Sequence, residues 1–231
     1  MAVTFRFGVG ALGETTARVY RAREPKEIAL ILGHGAGAPQ AHPFMVDMAT
    51  RLSARGIDVV TFDFLYMTTG KKLPDRTETL EATWLAVIAA VRARGGLPTE
   101  RLFIGGKSMG GRIASHVAAR AASEGFALSG LILLGYPLHP IGKPKVKRDE
   151  HLPRIAVPTL FVQGTRDELG TAKEIAAVVK KMQDARIHVV EEGDHSLVVP
   201  RRLGEGAQES ALTKAADAIA DFTQKKTKKK R

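Results

Sequence analysis

Short apolar runs, several of them ending in glycine, alternate with helix-length amphipathic stretches along almost the whole chain. The apolar runs Ile28–Leu32, Ile57–Phe62, Leu102–Ile104, Leu128–Leu134, Thr159–Val162 and Ile187–Val190 read as strands. Between and after them, Pro43–Ala54, the stretch from Pro74-Asp75-Arg76 through Arg94, Met109–Ser123, Thr171–Met182 and Glu209–Thr223 read as helices. Continuous apolar strands suit a sheet buried on both faces, because alternating helices must cover each side. The pattern predicts an α/β fold, a doubly wound and mostly parallel sheet with helices on both faces. Thr4–Val9 and Ala17–Tyr20 read as an opening hairpin. No internal repeat or break in composition interrupts the alternation. One domain is expected over residues 1–224, followed by a disordered basic tail at 225–231.

The formal net charge is +11, which at first suggests a nucleic-acid binder. Six of those charges sit in the tail, on Lys225, Lys226, Lys228, Lys229, Lys230 and Arg231. The rest of the chain is only modestly basic. With no aromatic residue interleaved, the tail offers non-specific, salt-sensitive contact with polyanions and no base stacking. The chain has no cysteine, which excludes disulfides, thiol nucleophiles and thiolate metal sites and fits a reducing cytoplasm. No apolar run approaches the roughly 18 residues needed to span a bilayer, and the first residues hold no secretory apolar segment. No cofactor and no metal are expected, and the oligomeric state is left open.

Gly106-Lys107-Ser108-Met109-Gly110 has the form G-x-S-x-G. Alone the motif is weak, but a strand pattern stands directly before it and a helical pattern directly after. A strand-to-helix turn this sharp strains the serine backbone, and it needs small residues two positions to either side. The helix N-terminus then points at the reacting carbon. Gly106-Lys107-Ser108 also matches the end of a phosphate-binding loop. That loop requires glycine five positions earlier, where this chain has Arg101.

A serine nucleophile requires a base and a group that orients it, here in the chain order serine, acid, histidine. His195 lies in the loop after the strand Ile187–Val190, and Asp167 in the loop after Thr159–Val162. Asp194 and Glu168 are rival acids. His116 and His188 fall within a helix and a strand, where packing or surface roles are expected. The oxyanion donors are expected to be the backbone N–H groups of Met109 and Ala36, with Gly35 the alternative to Ala36. His34 precedes the serine in the chain, so a structural role is expected for it.

These segments resemble an α/β-hydrolase, and more narrowly the small cap-less hydrolases related to dienelactone hydrolase. The resemblance is carried by Leu32-Gly33-His34-Gly35-Ala36-Gly37-Ala38, Gly105-Gly106-Lys107-Ser108-Met109-Gly110-Gly111-Arg112, Gly135-Tyr136-Pro137-Leu138-His139-Pro140, Val162-Gln163-Gly164-Thr165-Arg166-Asp167 and Glu192-Gly193-Asp194-His195-Ser196. It implies the α/β-hydrolase fold with little or no cap, the triad Ser108–Asp167–His195 and hydrolysis of an acyl substrate. The chain departs from dienelactone hydrolase in having serine where that enzyme has cysteine. Proteins of this fold also serve as subunits of chromatin complexes, so a catalytically silent scaffold using its basic surface is the alternative.

Loops leaving the C-terminal ends of parallel strands form the ligand-binding edge. Two of them are basic, one through Lys71 and Lys72, the other through Lys143, Lys145, Lys147 and Arg148. Gly35, Lys107, Tyr136 and His139 are the expected rim of the substrate site. Phe64–Leu73 and Pro137–Leu152 are the only stretches long enough to form a partial cover.

Overall fold

A computed structural model describes residues 2–225. Beyond Lys225, the basic tail lies outside the described residues. One eight-stranded sheet runs through the protein. Its strands are β1 (Val3–Gly8), β2 (Glu14–Tyr20), β3 (Ile28–Gly33), β4 (Ile57–Phe62), β5 (Leu102–Lys107), β6 (Gly130–Leu134), β7 (Thr159–Gly164) and β8 (Ala185–Val190). Their order is β1-β2-β4-β3-β5-β6-β7-β8. β1 pairs antiparallel with β2, and β2 antiparallel with β4; every later pairing is parallel. The expected opening hairpin and parallel sheet are both present.

The helices are α1 (Pro43–Ser53), α2 (Leu65–Thr68), α3 (Thr77–Arg94), α4 (Met109–Arg120), α5 (Ala172–Val179) and α6 (Ala207–Gln224). Alternate residues of one strand enter opposite cores. In β3, Ala29 and Ile31 face the core under α3, α4 and α5, while Ile28, Leu30 and Leu32 face the core under α1 and α6. This two-sided burial is why the central strands read as unbroken apolar runs. The four-residue α2 is too short to leave a periodic signal in sequence. No helix among the described residues is long and apolar enough to cross a membrane.

The topology gathers the functional candidates. β3, β5, β6, β7 and β8 are parallel, so the loops after them emerge at one edge of the sheet. The order also reverses between β3 and β5, the kind of switch point at which open α/β sheets bind ligands.

Candidate active site

Ser108 stands between β5 and α4 with φ 50° and ψ −116°. Positive φ is strained for a residue with a side chain, and such strain concentrates at functional sites. The neighbouring glycines explain how the turn closes. A methyl group at Gly110 would stand 2.3 Å from the Gly33 carbonyl oxygen, and one at Gly106 would stand 2.3 Å from the same atom. Both glycines let the elbow press against the end of β3.

The structure brings Ser108, His195 and Asp167 together. His195 Nε2 lies 2.8 Å from Ser108 Oγ. His195 Nδ1 lies 3.0 Å from Asp167 Oδ1 and 2.9 Å from Oδ2. The bond to the carboxylate places the proton on Nδ1 and leaves Nε2 to accept from the serine hydroxyl. The Asp167 side chain is fully buried, and three donors fix it. Gln163 Nε2 donates to Oδ2 at 2.7 Å, the Leu169 N–H to Oδ1 at 2.8 Å, and His195 completes the set. Gln163 also accepts from the Tyr136 N–H at 2.8 Å and donates to the Gly170 carbonyl. Sequence reasoning missed this residue, although a glutamine in the apolar strand that leads to the acid was a visible signal.

The rival acids are placed elsewhere. Asp194 Oδ1 accepts from the Ser196 and Val198 N–H groups and so shapes the histidine loop. Glu168 is exposed to solvent. His116 bonds Glu81 at 2.9 Å, and His188 lies in edge strand β8.

The loop after β3 lies against the serine. A methyl group at Gly35 would stand 3.7 Å from Ser108 Cβ. Among the described residues, neither the Met109 nor the Ala36 N–H donates to a protein acceptor. At Met109 this follows from its place as the first helical residue. His34 holds the loop from beneath: Nδ1 bonds the Gly35 carbonyl at 2.7 Å, and Nε2 accepts from the Phe64 N–H at 3.1 Å. Burial pushes its imidazole below the usual histidine range, in keeping with that neutral, structural part. The Tyr66 hydroxyl accepts from the Gly37 N–H, and Asp63 binds both the backbone and the side-chain amide of Gln40.

Of the four residues expected at the rim, Gly35 stands beside the serine, and the side chains of the other three are enclosed. Tyr136 is fully buried, packs edge-on against Phe161, and donates its hydroxyl to the Arg148 carbonyl. His139 is 6% exposed and turns toward Glu174, with Nε2 3.3 Å from the carboxylate. Lys107 is 8% exposed and its side chain runs inward. Lys71, Lys72, Lys143, Lys145 and Lys147 are all exposed, as surface loops require.

This arrangement of an eight-stranded sheet and a strained serine elbow is that of an α/β-hydrolase. The chain belongs to the alpha/beta hydrolase domain family, which matches residues 26–224. A serine hydrolase without lid from Xanthomonas campestris superposes with a TM-score of 0.72 at 18% identity, over 96% of this chain and 94% of that one. A dienelactone hydrolase from Anabaena variabilis gives 0.70 at 19% identity, over 96% of each chain. An alpha-beta serine hydrolase homologue from Coxiella burnetii gives 0.71 at 18% identity, over 95% and 96%. At these identities the likeness establishes the fold.

Proposed function

We propose that the protein is a carboxylesterase-like serine hydrolase that cleaves an ester or thioester of a small to medium acyl group through an acyl-enzyme on Ser108. The observation that carries this reading is the continuous chain of contacts from Asp167 through His195 to Ser108 Oγ, at 2.9 and 2.8 Å. In the proposed sequence, Nε2 of His195 takes the hydroxyl proton as Oγ attacks the substrate carbonyl. The carbon becomes tetrahedral, and its oxygen accepts from the Met109 and Ala36 N–H groups. The imidazolium gives its proton to the departing alcohol or thiol, leaving the acyl group on Oγ. Water, deprotonated by the same nitrogen, then releases the acid and restores the serine. Asp167 stays ionised, orients the ring and offsets the charge of the imidazolium.

The substrate is a small molecule that reaches the serine without a large lid to displace. The cysteine-free composition is in keeping with a reducing compartment such as the cytoplasm. Hydrolysis of short p-nitrophenyl esters tests the reading. Wild-type protein should turn them over, and Ser108→Ala should lose that activity with little change in thermal stability. A folded wild-type protein inactive across a broad ester and thioester panel would favour the silent scaffold.

A further inference from the structure

Lys107 immediately precedes the serine, and its side chain is almost wholly enclosed. Its stem lies against the loop after β3, where a methyl group at Gly35 would stand 3.6 Å from Cγ. Its ammonium reaches the other side of the site. A methyl group at Gly135 would meet three atoms there: the His195 carbonyl oxygen at 2.5 Å, Lys107 Nζ at 3.3 Å and Asp167 Oδ2 at 3.6 Å. The ammonium, the buried carboxylate and the histidine backbone thus converge at the end of β6.

Among the described residues, Lys107 forms no ion pair with a carboxylate within 4.0 Å. The acids that face it are already engaged. Asp167 takes its bonds from Gln163, Leu169 and His195, and Asp194 takes its bonds from Ser196 and Val198. The His195 carbonyl oxygen also faces this recess, and the His195 ring is bonded to the same Asp167 oxygen that does. Lys107 therefore acts through space, in an enclosed setting where charges are weakly screened. Burial pulls its ammonium down to about 8, against the attraction of Asp167 and Asp194, so the group is charged in neutral and weakly acidic solution.

A buried carboxylate beside an imidazole favours the imidazolium and so withholds the free base the proposed reaction needs. A second cation opposes that pull. We propose that Lys107 is a positioning residue that balances the charge of the Asp167–His195 pair and keeps His195 free to accept the serine proton in weakly acidic solution. The inference rests on the hydrolase reading for its purpose, although the charge balance can be measured without turnover.

The test compares full-length wild-type protein with Lys107→Met, which keeps the apolar stem and removes the charge. The first measurement is the pH dependence of kcat/KM on a neutral ester. The acid limb should move upward by about one pH unit in Lys107→Met, so that kcat/KM on that limb falls about tenfold. The second is the NMR titration of the His195 ring, assigned with His195→Asn. Its midpoint should move upward by the same amount, whether or not an ester is hydrolysed. Should Lys107→Met fail to fold, wild-type protein supplies the control. As Lys107 loses its proton near pH 8, the His195 ring signals should shift a second time. Coincident His195 midpoints in two folded proteins would overturn the proposal, as would a wild-type titration with no second step. A defect confined to KM for a carboxylate-bearing ester would assign Lys107 to substrate binding and overturn it too.

Discussion

Asp167 is distinguished from its neighbours by what holds it. Its carboxylate is buried and bonded to Gln163, Leu169 and His195, whereas Asp194 serves its own loop and Glu168 faces solvent. Asp167→Asn should therefore lower kcat by about 10³- to 10⁴-fold, because the imidazole loses its orienting acceptor and the imidazolium its countercharge. Glu168→Gln should retain wild-type kcat. Steady-state kinetics on one ester measure both, and an inactive Glu168→Gln beside an active Asp167→Asn would reverse the assignment. The three side chains that meet at this site were legible in sequence because each follows a recognisable strand. The inward course of Lys107 toward Gly135 and the burial of Tyr136 and His139 against Arg148 and Glu174 were not, because the residues that surround them lie elsewhere in the chain. Gln163 was visible but went unread, since a lone polar residue in a strand declares no partner.

α4 shows how an element joins function to stability. Its first turn directly follows Ser108, and the crossing at Gly33 leaves no space for a side chain at Gly110. Gly110→Ala should cost about 3 kcal/mol of stability and disturb the elbow, to be read by chemical denaturation alongside activity. Farther along, Ser115 Oγ lies 2.7 Å from His151 Nε2, tying α4 to the segment after β6, and the His116 and His151 rings pack 4.3 Å apart. Burial, reinforced by nearby positive groups, pushes His151 down to about 3 from an ordinary 6.5. A histidine held neutral on folding makes the unfolded chain bind more protons, so stability falls as pH drops through 6.5 toward 3. Denaturation midpoints at pH 7 and pH 5 should differ less in His151→Gln than in wild type; equal differences would detach this pair from acid sensitivity. The sequence pattern carried α4 to Ser123, whereas the helix stops at Arg120. The Glu124 and Phe126 N–H groups fold back on Arg120 and Ala121 there, through Gly125 at φ 73°. A closing turn of this kind keeps helical spacing while leaving the helix, so periodicity alone misses it.

Across the whole molecule, parallel strands bring distant segments to one edge and place Lys71, Lys72, Lys143, Lys145 and Lys147 on its exposed loops. A positive field there would raise the local concentration of anionic substrates. Neutralising Lys143, Lys145 and Lys147 together should raise KM for a carboxylate-bearing ester more than for its neutral analogue, and added salt should shrink the difference. Equal effects on both esters would reduce these loops to ordinary solvated surface. The layered architecture was legible from the alternation of apolar runs, because burial on both faces leaves little choice of residue in the central strands. The central claim concerns the reactivity of one oxygen atom in that architecture. It is tested most directly by exposing full-length protein to a fluorophosphonate probe and mapping the modified residue by mass spectrometry. The account predicts one label, on Ser108, absent from folded Ser108→Ala. A folded wild-type protein that takes no label, or a label that persists in Ser108→Ala, would contradict it.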